Sequence, residues 1–268
     1  ESLTGNAAAD TFTLTGGTLT GAIDGAGGSD TLTGDNVANA FVITGAESGT
    51  VTGVTGGFSN VESLTGNAAA DTFTLTGGTL TGAIDGAGGS DTLTGDNVAN
   101  TWTISVADGG SVTGVAGGFS NIEKLTGGTN DDAFTFNVGT SLTGLINGGA
   151  HAIGDSIDYS ALAGATVTLG TDVSNIETLT GNNAGFPLVS GSAWSVTGAD
   201  DGTVDGIAFA NWANLTGTGG VDTFTLNGGT VSGAIDGAGG SDTLTGDNVA
   251  NAFVVTGAQS GTATGVSG

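Results

Sequence analysis

A three-residue phrase, threonine–apolar–threonine, returns about every twenty residues through this chain, and few folds can use such a beat. Its apolar centres are Phe12, Leu32, Val51, Phe73, Leu93, Val112, Phe134, Ile157, Leu179, Val204, Phe224, Leu244 and Ala263, with steps of 19 to 25 residues. Like residues at near-constant spacing demand a chain that keeps returning to one line in space. The spacing predicts an all-β fold, a parallel β-solenoid of about 13 coils of roughly 20 residues. Right-handed coiling is the expectation for parallel crossovers.

A second apolar line falls between members of the first: Leu3, Ile23, Phe41, Leu64, Ile84, Trp102, Leu125, Ile146, Val167, Trp194, Leu215, Ile235 and Phe253. Neighbouring strand residues face opposite ways, so in Thr11-Phe12-Thr13 the ring is expected inside and both hydroxyls outside. Corners such as Gly25-Ala26-Gly27-Gly28 suit turns that need positive φ. The stretch beginning at Glu1 recurs almost verbatim at Glu62, a 61-residue unit read as three coils. A third copy from Glu123 diverges after Asn147, residues 123–212 are irregular, and residues 213–268 are again close to the first copy. One continuous array over 1–268 is expected, with Phe186-Pro187 bulging outside the regular strands because proline lacks a ladder donor.

Composition narrows the function classes. Twenty-six acidic residues against one Lys and no Arg give a net charge of −25, which removes the basic side chains that nucleic-acid binding requires. No run reaches the roughly 20 apolar residues of a membrane-spanning helix, and no signal-peptide pattern opens the sequence. Disorder is not expected, because 37% hydrophobic residues can fill a thin core. An acidic chain almost without Lys and Arg points to an extracellular or cell-surface location, while the absence of cysteine decides little about compartment.

The stretch GAGGSDTL, at Gly25, Gly86 and Gly237, resembles the calcium-binding nonapeptide of RTX proteins, secreted bacterial proteins whose repeats wind into a β-roll. The resemblance implies calcium held between coils by Asp30, Asp91 and Asp242, with Asp10 and Asp71 at the related NAAAD turns. Alanine replaces the second motif glycine at Ala26, Ala87 and Ala238. The alternative reading makes each Asp a turn residue that accepts backbone N–H groups. The LTGG, GGSDTLTG and FSNIE phrases more broadly resemble repeat regions of giant bacterial β-solenoid proteins, including filamentous haemagglutinin-like adhesins.

Two further readings compete. Paired threonines, Thr11 with Thr13, Thr31 with Thr33 and Thr50 with Thr52, resemble the flat face of ice-binding solenoids, although Asp158 and Asp205 interrupt the series. Catalysis has little to draw on: His151, Lys124 and Tyr159 are each single, and the adjacent pairs Asp131-Asp132 and Asp200-Asp201 should point to opposite faces. Trp102 and Trp194 fall on the second apolar line and are expected in the core, while Trp212 lies outside it. The sequence opens and stops within a repeat, which points to a segment of a longer chain. The expected function is therefore a structural or adhesive segment of a long extracellular bacterial fibre, calcium-stabilised at its corners. Its expected partners are further repeats or copies end to end, and cell-surface or matrix glycans. A calcium-dependent glycan-binding module and an ice-binding solenoid are the alternatives.

Overall fold

The computed structural model describes residues 1–162, 164 and 166–268, and no helix occurs among them. Strands of two to six residues make up the regular structure. The chain divides into two compact units, Glu1–Asp155 and Ser156–Gly268.

In the first unit the chain alternates between two sheets. Leu3–Thr4 and Ile23–Asp24 pair in parallel in one sheet, and Thr11–Thr13 and Thr31–Thr33 pair in parallel in the other. The register sets Leu3 opposite Ile23 and Phe12 opposite Leu32, so each coil of about twenty residues contributes one rung to each sheet. The alternation follows from the sequence: apolar centres about ten residues apart are separated by corners that cannot continue a strand.

The coil is then interrupted. Ala40–Gly45, Ser48–Val51 and Val54–Ser59 form an antiparallel three-stranded meander within the first sheet, with Phe41 opposite Val51 and Val51 opposite Val54. Left-handed Glu47 at φ 51° and Gly53 at φ 86° make its turns, and Gly57 at φ 72° sits at a bulge within the third strand. The third strand returns beside the previous coil, Phe58 opposite Ile23, and the first strand receives the next unit, Phe41 opposite Phe73. A 61-residue unit thus makes five visits to the two sheets, the fifth of them a local meander, where three coils were expected. Five is odd, so the next unit starts in the other sheet: Leu64 pairs with Leu32, and its meander, Thr101–Val106, Gly109–Val112 and Val115–Ser120, lies there.

The single column expected from the triplet is consequently divided. Phe12 and Leu32 stand in one sheet, while Phe73 and Leu93 stand in the other. Val51 and Val112 occupy the middle strands of the two meanders. The twenty-residue beat is present in the sequence, but nearby strand-formers joined by short turns pair locally at a smaller loop-closure cost than a further crossover. The fold is therefore all-β with mixed parallel and antiparallel pairing.

In the second unit, Val167–Thr168, Pro187–Val189, Asn214–Thr216 and Ile235–Asp236 form one parallel ladder, Val167 to Leu188 to Leu215 to Ile235. Another sheet holds a third meander, Ala193–Val196, Gly202–Val204 and Ile207–Ala210, followed by Thr223–Leu226 and Thr243–Thr245. The expected bulge at Phe186-Pro187 is corrected here. Pro187 is the first residue of a strand, where a missing N–H is tolerated, and Phe186 is buried edge-on against Trp212 with centroids 5.0 Å apart.

Inward residues form the core. Phe41, Phe73, Leu93, Leu64 and Ile84 are fully enclosed, as are Trp102, Trp194 and Trp212 to within 2%. Where a meander meets the next coil, rings stack: Phe41 on Phe73 at 4.8 Å, Trp102 on Phe134 at 5.4 Å and Trp194 on Phe224 at 5.5 Å. Replacing Phe73 by alanine removes a stacked ring and leaves a cavity, with an expected cost of about 3–5 kcal/mol. Urea unfolding monitored by circular dichroism measures it.

Candidate functional site

The corners between strands carry the repeated polar chemistry, and one interval organises them: a glycine followed five residues later by an aspartate. It occurs at Gly5/Asp10, Gly25/Asp30, Gly66/Asp71, Gly86/Asp91, Gly127/Asp132, Gly217/Asp222 and Gly237/Asp242. At each, a Cβ built on the glycine would lie within 2.5 Å of the aspartate Oδ2. Only glycine permits the carboxyl to fold back over the backbone in this way. The glycine at this place is kept for close approach, while the left-handed turn conformation belongs to Ala26 at φ 68° and Ala87 at φ 67°.

The folded-back carboxyls form ladders. Asp10 N–H donates to Asp30 Oδ1 at 2.7 Å, and Asp30 N–H donates to Glu62 Oε2. Asn39 N–H donates to Asp71 Oδ1 at 2.6 Å, Asp71 N–H to Asp91 Oδ1 at 2.7 Å, and Asp91 N–H to Glu123 Oε2 at 2.7 Å. Asn100 N–H to Asp132 Oδ1 and Asp132 N–H to Asp155 Oδ1, both 2.7 Å, make a third run, and Asp222 N–H to Asp242 Oδ1 at 3.0 Å belongs to a fourth. Each carboxylate thus closes the corner of the neighbouring rung. Asp30, Asp71, Asp91, Asp132 and Asp222 are at most 1% exposed, Asp10 is half-buried and Asp242 is exposed.

The second carboxyl oxygen is less well served. Oδ2 of Asp30, Asp71, Asp91 and Asp132 is buried without a hydrogen-bond partner. The Cβ position of Gly86 lies 2.5 Å from Asp91 Oδ2 and 2.0 Å from the Asn121 carbonyl oxygen, so two acceptors crowd the same glycine. Burial pushes the Asp91 carboxyl up to about 6; the Asp71 N–H opposes this, and the charges of Glu123, Asp71 and Asp85 reinforce it. Burial likewise raises Asp132 to about 6, against N–H groups of Asn100 and with the charges of Asp155 and Asp131. Half-buried Asp131 behaves oppositely, held low by the N–H groups of Ile153, Gly154 and Ala152.

Asparagine occupies the same corner place in GDNVAN. Asn39 Nδ2 donates to the Asp35 and Val37 carbonyls at 2.7 Å, and Asn100 Nδ2 to those of Asp96 and Val98. An amide supplies there the donor that an ionised carboxylate lacks.

These observations test the calcium implied by the sequence resemblance. A calcium ion takes 6–8 oxygen ligands at its surface, but Asp30, Asp71 and Asp91 have one oxygen committed to a backbone N–H and the other enclosed against glycine. Asp10 and Asp242 alone of the five keep solvent access, while the second carboxyl oxygens of Asp30, Asp71 and Asp91 are enclosed and have no hydrogen-bond donor. The sequence motif overlooked Asp132, Asp155, Asp222, Glu62 and Glu123, which the glycine-to-aspartate interval or the ladder bonds bring in.

The other candidates separate in space. Thr11 pairs with Thr31 and Thr13 with Thr33, and the second row continues to Thr65 and then Asp85. Thr50 and Thr52 lie on the meander of the other sheet, where Thr52 Oγ1 accepts the Ala40 N–H. Asp131 and Asp132 divide between surface and interior, as do Asp201 and Asp200, so neither forms a facing acid pair. His151 Nδ1 stands 3.6 Å from buried Asp155 Oδ2. Neither protein-family models nor curated proteins yield a match to this chain.

Asp91 and Asp132 ionise less readily folded than at their ordinary value of 3.8, so the folded state holds extra protons between pH 4 and 6. Their stabilising effect is fully present below pH 3.8 and is lost as pH rises through 6. The urea midpoint should therefore be higher at pH 5 than at pH 7.5, and Asp91→Asn with Asp132→Asn should flatten that difference. At the adjacent turn, Ala87→Gly relieves a left-handed alanine and should stabilise the protein by about 1 kcal/mol, again read from the urea midpoint.

Proposed function

We propose that this protein is a structural or adhesive segment of a long extracellular bacterial fibre or surface protein, built as a solenoid-like stack of repeats. The observation that carries the reading is the fate of the repeated carboxylates. Groups with the chemistry to bind metal or activate water are spent on backbone N–H groups inside the stack. What repeats on the outside is threonine and glycine with scattered acid, a surface suited to extension without a dedicated pocket at each unit. Near-identity of the unit at Glu1 and Glu62 supports the same reading, since adding a unit lengthens such a stack without altering its chemistry.

The parallel Thr11/Thr31 and Thr13/Thr33 rows favour ice binding as a second reading. Asp85 ends one row after Thr65, and a charge there strengthens the hold on liquid water. Three assays separate the possibilities. The structural reading expects no turnover on a polysaccharide panel, no inhibition of ice recrystallisation, and a melting temperature equal in chelator and in millimolar calcium at matched ionic strength. Turnover would defeat it. Ice inhibition would transfer the function to the threonine rows, and a calcium-dependent rise of several degrees would return the corner aspartates to metal chemistry.

A further inference from the structure

The dipeptide Asn-Gly occurs twice in this chain, at Asn147-Gly148 and at Asn227-Gly228, and the fold treats the two differently. Asn147 lies within the strand Ile146–Ala150, opposite Thr126 in a parallel ladder, and its Oδ1 accepts the Gly149 N–H at 3.0 Å. Asn227 follows the strand Thr223–Leu226 where the chain turns into a corner; it is exposed, and its side-chain amide makes no hydrogen bond among the described residues. Gly228 takes a left-handed φ of 84°, and nothing beyond its chain neighbours lies within 4 Å of where its Cβ would stand. Its N–H is unpaired among the described residues as well. At the matching corner Gly77 N–H donates to Asp96 Oδ1 at 2.9 Å, but Asp247, which stands in the place of Asp96, has an Oδ1 with no partner.

We propose that Asn227-Gly228 is a site of spontaneous modification, at which the backbone nitrogen of Gly228 attacks the Asn227 side chain and converts it to isoaspartate and aspartate. The Gly228 nitrogen bonds Asn227 Cγ, its proton passes through solvent to Nδ2, and the Cγ–Nδ2 bond breaks to release ammonia. Water then opens the cyclic imide. Addition at the backbone carbonyl leaves the chain running through the side-chain carbon as isoaspartate, and addition at Cγ restores the ordinary backbone with an aspartate. Glycine at the following place leaves the attacking nitrogen unshielded. The equivalent corners lack the pair: Thr15 and Thr76 replace the asparagine, and Asn137 is followed by Val138, whose branched side chain shields the nitrogen.

The place of the site makes the change felt. Asn227 N–H donates to the Val196 carbonyl at 2.7 Å and Thr230 N–H to the Gly198 carbonyl at 2.9 Å, so residues 227 to 230 span a fixed gap along the third meander. Little slack lies between, since a Cβ on Gly229 would stand 2.6 Å from the Gly198 carbonyl oxygen. Just beyond, the Thr230 carbonyl accepts the Asp200 N–H at 2.8 Å, and Ser232 donates its N–H and its hydroxyl to the Asp200 carboxylate at 2.6 and 2.7 Å. Isoaspartate inserts an extra backbone carbon into this span, so the bonds to Val196 and Gly198 no longer fit together and the clasp on Asp200 loosens. The aspartate product keeps the backbone and adds a negative charge. Each molecule therefore ages at one defined joint, where the coil strand Thr223–Leu226 is tied to its meander.

The inference does not depend on the structural reading above, and its test reads mass at single residues. The 268-residue chain is incubated in mildly alkaline buffer, digested with chymotrypsin and mapped by mass spectrometry, with isoaspartate and aspartate peptides separated by chromatography. Asn227 should be lost progressively, with isoaspartate the larger product, while Asn147 keeps its amide. In urea, where the dipeptide alone counts, both should be lost at the same rate. Asn227→Thr, which installs the residue found at Thr15 and Thr76, should fold as the parent does and keep its urea midpoint on ageing, whereas the midpoint of the aged parent should fall. An Asn227 that survives in the native chain, or an Asn147 lost as fast as Asn227 in the folded state, would overturn the proposal. An aged, fully converted parent that unfolds at the same urea concentration as the aged variant would overturn it too.

Discussion

A backbone N–H bonded to the carboxylate of the equivalent residue in the next rung is the interaction on which the rest of this protein depends. Asp71 to Asp91 and Asp132 to Asp155, both at 2.7 Å, show why. At a corner the chain leaves one sheet for the other, and its N–H groups there have no strand to pair with. Buried and unpaired, each would cost about 1–3 kcal/mol. The carboxylate supplies the acceptor from within the repeat, so stacking one unit on another automatically closes both corners. Glycine five residues earlier is the other half of the device, since any side chain at Gly25 or Gly86 would strike both the carboxyl and a neighbouring carbonyl.

That arrangement carries a penalty which explains its chemistry. Like charges are brought to successive rungs, and Oδ2 faces acceptors instead of donors. Below about pH 6 protonation relieves this at Asp91 and Asp132. Asparagine relieves it permanently at Asn39 and Asn100, which donate to carbonyls in the same geometry. Asn39 and Asn100 each head a run of acidic corners, Asp71 to Asp91 to Glu123 and Asp132 to Asp155, so an amide separates one run of buried carboxyls from the next.

Much of this was legible in the sequence, for definite reasons. Phe12, Leu32, Phe73 and Leu93 advertise inward strand residues because a side-chain period of two leaves the ring no other place between two threonines. Burial of Trp102 and Trp194 followed from their apolar line. The division of the triplet column did not, because Thr50-Val51-Thr52 reads like every other triplet. Only pairing partners distinguish a meander strand from a coil strand, and that is a property of residues 41 to 58 together. The corner aspartates were singled out by a nonapeptide whose family uses them for metal. The interval from Gly66 to Asp71, which lacks the motif glycines, performs the same structural task as Gly86 to Asp91.

The meander is also where stacking becomes aromatic. Phe41 on Phe73, Trp102 on Phe134 and Trp194 on Phe224 each join the first meander strand to the coil that follows. These are the places where a locally paired hairpin must be tied to a crossover strand that arrives from the other sheet. Parallel pairs elsewhere set a ring against an aliphatic side chain, as Phe73 against Leu93, or two aliphatic side chains together, as Leu64 and Ile84. Large flat rings at the tie points add offset-stacking energy of about 0.5–1.5 kcal/mol beyond area burial. They concentrate affinity at the one strand edge whose partner is not dictated by the preceding turn, and so set the register in which one unit receives the next.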